Sequence, residues 1–129
     1  MALTITHIPE CDAMLGPAQR MRGYQLKPGT SDYVTGGYPI TAGVGGTNNL
    51  GGFEFLFGAW VIAVDNAEAI AYNIEFVFAA GAFATTPVPQ STIYMMFTQP
   101  TFSGTGANNE IPVGTNLSGV YVWAEFLGY

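Results

Sequence analysis

The chain has 129 residues, nine of them acidic and three basic, giving a net charge of −6. Only 9% of residues are charged, against about 25% in an ordinary soluble domain. A 49% hydrophobic share with 14% aromatics excludes a disordered chain, 17 glycines beside so few Glu, Lys and Arg exclude a coiled coil, and three cations are too few to grip nucleic acid or an anionic membrane.

One domain is expected over residues 1–129, with residues 1–20 reading as an extended N-terminal arm. Met1–Thr6 has no basic region followed by an apolar run, so no secretory signal is expected there. Leu3–Ile8 is a weak strand candidate, and Asp12–Arg20 is the one helix-like stretch, interrupted by Gly16-Pro17. Met21–Leu26 is a second weak strand. Gly36-Gly37, Gly43-Val44-Gly45-Gly46 and Gly51-Gly52 then punctuate a long turn-rich segment.

Phe53, Phe55 and Phe57 alternate with Glu54 and Leu56, which predicts a strand with the three phenylalanines on its apolar face. After Gly58 the phase slips by one and Trp60, Ile62 and Val64 share that face, so a bulge or bend is expected at Gly58. Phe55–Val64 is the longest apolar run, about half of the roughly 20 residues a membrane helix requires. Asp65-Asn66-Ala67-Glu68 has the residues of a hairpin loop. Ile70, Tyr72, Ile74, Phe76 and Phe78 then alternate with smaller or polar residues, the firmest strand signal in the chain.

Thr85–Gln90 and Ser103–Asn109 are further uncharged loops, and Thr92–Thr98 and the Ile111–Val113 neighbourhood are weak strands. In the last strand, Leu117–Leu127, Val120, Val122, Ala124 and Phe126 share one face; Tyr121, Trp123, Glu125 and Leu127 share the other. Both faces are largely apolar. Either the strand is central and covered on both sides, or Tyr121 and Trp123 face another subunit. The whole predicts an all-β, single-domain β-sandwich or barrel, jelly-roll-like, with long Gly/Thr/Asn-rich loops.

The sequence offers little chemistry. Cys11 is the single cysteine, so neither an intrachain disulfide nor a cysteine zinc site can form. His7 is the single histidine; it lies four residues from Cys11, but Pro9 between them suits a loop better than a Cys–His nucleophile. Asp65, Asn66 and Glu68 could offer oxygens to calcium, yet turns use the same residues for backbone reasons. Gly43, Gly45 and Gly46 fit neither a dinucleotide nor a phosphate fingerprint. Asn116-Leu117-Ser118 matches a glycosylation acceptor, a common chance triplet, and Glu54 and Glu75 would have to meet across a cleft to act on a glycoside. No enzyme, cofactor or metal is expected. Sugar binding through Tyr24, Tyr33, Tyr38 and Trp123 is an alternative.

No charged residue occurs from Tyr33 to Phe53 or from Phe76 to Asn109. Such surfaces are either kept wet by Thr, Ser, Asn and Gln or covered by other chains, and the second reading is favoured.

Tyr33-Val34-Thr35-Gly36-Gly37-Tyr38-Pro39-Ile40-Thr41, the Val64-Asp65-Asn66-Ala67 turn, Asn116-Leu117-Ser118-Gly119 and the closing Phe126-Leu127-Gly128-Tyr129 resemble the small capsid decoration, or cement, proteins of tailed bacteriophages. The resemblance covers about two thirds of the chain, from Tyr33 onward; Ile8–Met21 and Thr85–Asn109 depart from it. It implies a β-rich virion protein, made in the host cytoplasm, that binds the major capsid protein on the capsid exterior as a homo-oligomer, a trimer being favoured. It carries no catalytic residue. The contact residues expected on this reading are Tyr33, Gly36, Gly37, Tyr38, Pro87, Pro89, Tyr121 and Trp123. A tail or baseplate component is the nearest alternative.

Overall fold

The computed structural model describes residues 3–43, 48–67, 72–79, 91–100 and 108–129. Eight strands make up its regular structure: β1 Thr4–Met14, β2 Arg20–Lys27, β3 Tyr38–Thr41, β4 Leu56–Asn66, β5 Asn73–Val77, β6 Thr92–Pro100, β7 Asn108–Glu110 and β8 Val120–Gly128. They form two antiparallel sheets, one in the order β1-β2-β8-β4 and one in the order β3-β6-β5, where β7 pairs with the far end of β6. The architecture is the all-β sandwich expected. Among the described residues there is no helix, and so none that could cross a membrane.

The core lies between the sheets. β8 supplies Val120, Val122, Ala124 and Phe126, all fully buried, which is the face its alternation marked. Tyr24 and Leu26 join them from β2, Leu56 from β4, and Ile40, Ile93, Met95 and Phe97 from the opposite sheet. In β5, Ile74 and Phe76 pack against this core while Asn73 and Glu75 are exposed, again as the alternation requires.

Three local expectations are corrected. Asp12–Arg20 is not helical. Asp12–Met14 continue β1, and Leu15 N donates to Gln19 O at 3.1 Å to close a turn into β2. Gly16-Pro17 decides this, since proline lacks an N–H and disfavours helix in the residue before it. Residues 4–14, placed by the sequence in an arm, are thus paired along β2, with the register shifting between Ile8 and Ala13 around Pro9.

Second, Asp65–Glu68 does not join a hairpin. β4 is paired with β8 and β5 with β6, so the connection carries the chain from one sheet to the other. Third, the phenylalanines do not share a buried face. Phe53 is buried ahead of the strand, but it is Leu56 that enters the core, and Phe55 and Phe57 are exposed beside the Tyr129 ring, with centroids 5.5 and 5.7 Å away. The slip at Gly58 is present: the register of β4 on β8 shifts between Leu56 and Gly58, and again between Val61 and Ala63. After the first shift Ala59 and Val61 turn inward, and the predicted apolar set Trp60, Ile62 and Val64 is exposed. The strand near Ile111 lies just before it, at Asn108–Glu110, and Ile111 itself is buried with its N–H on Phe97 O at 3.1 Å.

Candidate functional site

The Tyr33–Tyr38 segment, marked as a contact element, is largely interior. Tyr33, Gly37 and Tyr38 are buried within the chain, and only Val34, Thr35 and Gly36 are exposed. Tyr33 and Tyr38 stack edge-on at 5.5 Å, and each meets Phe97 in the same manner. Their hydroxyls end on carboxylates: Tyr33 donates to Glu110 Oε1 at 2.8 Å, and Tyr38 to Asp32 Oδ1 at 2.6 Å. Glu110 Oε1 also accepts Gly36 N at 2.6 Å, which ties the turn to β7. Gly36 and Gly37 have φ of 91° and 94°, in the region that favours glycine. The motif therefore clamps a loop onto the β3-β6-β5 sheet, and its tyrosines cannot reach a second chain.

Burial raises the phenol pKa of Tyr24, Tyr33 and Tyr38, with the hydrogen bonds to Glu110 and Asp32 adding to it in the last two. A group whose folded pKa lies above its unfolded value stabilises the fold below the unfolded pKa and loses that contribution as pH rises beyond it. Here the decline begins near pH 10, the unfolded tyrosine value. Each of the three is expected to remove up to about 1.4 kcal/mol per pH unit above that point. Urea midpoints measured from pH 8 to 11.5 should be flat and then fall, with Tyr33 and Tyr38 ionising only on unfolding. A flat profile through pH 11.5 would refute the assignment.

The outward face of the β1-β2-β8-β4 sheet is different. Cross-strand register sets Trp60 beside Glu125, Trp123 between Ala63 and Gln25, and Asp65 beside Tyr121. Phe55, Phe57, Trp60, Ile62 and Trp123 are each between 37% and 48% exposed, although a folded chain ordinarily buries such side chains. They run along β4, an edge strand, and onto its neighbour β8. Gln25, Ala63, Val64, Asp65, Tyr121 and Trp123 line a shallow open depression of about 390 Å³. Tyr121 is half-buried, with the Lys27 ammonium 5.1 Å from its ring centroid.

Acidic groups outnumber cations around this face, where the Lys27 ammonium lies over the Tyr121 ring. Glu54, Asp65 and Glu125 lie on or beside the apolar residues. The three cations are engaged within the chain: Arg20 donates to Gly52 O at 3.0 Å, Arg22 to Gly51 O at 3.3 Å with Asp12 at 3.6 Å, and Lys27 covers Tyr121.

Of the expected contact residues, Tyr121 and Trp123 thus lie on this outward face and Gly36 on an exposed turn, while Pro87 and Pro89 lie outside the described residues. The structure brings Tyr121 and Trp123 together and adds Phe55, Phe57, Trp60 and Ile62, which alternation alone assigns to a buried apolar face. Their signal was present in 55–64, where both alternating sets are apolar. Of the aromatics considered for sugar stacking, Tyr24, Tyr33 and Tyr38 are buried and only Trp123 is available.

His7 Nε2 lies 2.8 Å from Asp12 Oδ2, and Asp12 Oδ1 accepts Gly23 N at 3.2 Å, so this carboxylate organises the β1 irregularity. Among the described residues no three His, Cys, Asp or Glu are grouped to hold a metal ion; Glu68 of the considered calcium set lies outside them. Comparison of the chain with protein-family models, curated proteins and solved structures finds no match.

Proposed function

We propose that the chain is a virion structural protein, a capsid decoration protein that binds the outer surface of the major capsid lattice and stabilises it, attaching as a trimer. One observation carries this reading: five large apolar side chains, Phe55, Phe57, Trp60, Ile62 and Trp123, stand exposed on the outward face at β4 and β8 in a chain with only three cations. Covering them removes apolar area from water at about 25 cal/mol per Å². Repeated over a lattice, modest contacts of this kind sum to firm attachment. The motifs from Tyr33 onward that resemble decoration proteins support the same reading. So does the chain path, since β2, β3, β4 and β5 alternate between the sheets as the strands of a jelly roll do. Glu54, Asp65 and Glu125 favour a capsid surface that is apolar and rimmed by Lys or Arg.

The test is a variant carrying Trp60→Ser and Trp123→Ser. Both side chains are exposed, so folding stability should change by less than about 1 kcal/mol. Occupancy on full particles, measured by mass spectrometry of purified virions, should fall sharply. The unmodified chain should be present in hundreds of copies per particle; tens or fewer would point to a tail or baseplate part. Undiminished occupancy of the variant would overturn the proposal.

A further inference from the structure

At the opposite end of the same sheet from Tyr121, a second depression of about 540 Å³ opens between the β1–β2 turn, the loop before β4 and the last residue. Arg20, Asn49, Phe53, Glu54 and Tyr129 are among the residues that line it. Its size is that of a small-molecule site.

Two donors in its wall are shut off from bulk water and have no hydrogen-bond partner: Arg20 Nε and Asn49 Nδ2. Each side chain is tethered by a single hydrogen bond made by another of its polar atoms, about which it can turn. Arg20 Nη1 donates to Gly52 O at 3.0 Å, and Asn49 Oδ1 accepts Gly51 N at 2.7 Å. Native structures leave few buried donors unpaired, because each such group loses its water without compensation. Two in one wall, on residues held from their other ends, mark a place where acceptor atoms are missing.

The rest of the lining narrows the class of ligand. Glu54 is exposed and offers an acceptor. Tyr129 is half-buried, held by Glu54 N and Phe55 N on its carbonyl at 2.6 and 3.1 Å, and backed by Phe55 and Phe57. An anion would meet Glu54 in a chain of net charge −6, and a cation would meet Arg20. Neighbouring hydroxyls on a neutral ring suit both: each can accept from Arg20 or Asn49 and donate to Glu54, while the ring's apolar face lies on Tyr129.

We infer that this depression is a binding site for a neutral saccharide, with Arg20 and Asn49 as donors, Glu54 as acceptor and Tyr129 as the stacking surface. On entry of the sugar, the Arg20 and Asn49 side chains turn onto its oxygens. The site is separate from the Trp123 depression and does not depend on the decoration role.

The test uses the intact chain and NMR titration with methyl glycosides of glucose, galactose and mannose, with inorganic phosphate in parallel. At least one glycoside should shift the Arg20 Nε–H and Asn49 side-chain amide signals, with millimolar affinity and saturation. Asn49→Asp keeps the acceptor for Gly51 N and removes the donor; Glu54→Gln alters an exposed group. Each should weaken binding about tenfold, the loss of roughly one hydrogen bond. The inference is overturned if no glycoside shifts these signals, if phosphate shifts them and the glycosides do not, or if both variants bind as the parent does.

Discussion

Phe126→Ala is expected to lower folding stability by about 3–5 kcal/mol, the range for truncating a buried phenylalanine. Phe126 is fully buried on β8, between β2 and β4. Its ring meets Tyr24 edge-on at 5.7 Å within its own sheet and Phe76 edge-on at 5.3 Å across the sandwich. Truncation therefore removes a contact that joins the two sheets and leaves a cavity with rigid walls. Urea denaturation reads the effect directly. Phe126→Leu provides a second measurement that does not depend on the alanine variant folding, with a smaller loss of about 1–2 kcal/mol expected. A loss under 1 kcal/mol for the alanine variant would show that the sandwich does not close on this residue.

Gly37→Ala should cost about 2–4 kcal/mol, more than Gly36→Ala. Both residues have φ above 90°, so either substitution strains the backbone. They differ in space. A Cβ on Gly36 meets nothing within 4 Å, whereas one on Gly37 would run into Met95 O on β6. Gly36→Ala thus measures conformational strain alone, about 1–2 kcal/mol, and the excess in Gly37→Ala measures the close approach of the turn to β6. Equal losses in the two variants would contradict this packing.

Much of the sandwich could be read from the sequence because period-two alternation survives wherever a strand has one wet face. Asn73–Phe78 and Val120–Phe126 are of this kind, and in both the predicted inward residues are inward. Alternation reports a period and not which set is buried. In 55–64 both sets are apolar, so Leu56, Ala59 and Val61 could not be told from Phe57, Trp60 and Ile62 until the neighbouring strand fixed the register. Asp65-Asn66 has turn chemistry but ends β4, still paired with Tyr121 and Val120, and the next strand, β5, belongs to the other sheet. β3 went unseen because four residues including Pro39 carry too little pattern. Only the family resemblance points to Tyr33 and Tyr38 as contacts; Asp32 and Glu110, distant or unremarkable in sequence, satisfy their hydroxyls and allow them inside. The Arg20–Asn49–Glu54–Tyr129 depression joins four separate segments and has no local signature at all.

The central position of β8 has a consequence for biosynthesis. Its partners β2 and β4 are both translated well before it, and neither is bonded to the other. That sheet therefore stays split in two on the ribosome until residues 120–128 have emerged, and its closure waits on contacts spanning nearly 100 residues of chain. In the interval the inner faces of β2 and β4 lack their cover, so nascent copies crowded on one message are exposed to mutual capture, and slow elongation through the codons of β8 should favour aggregation over soluble yield.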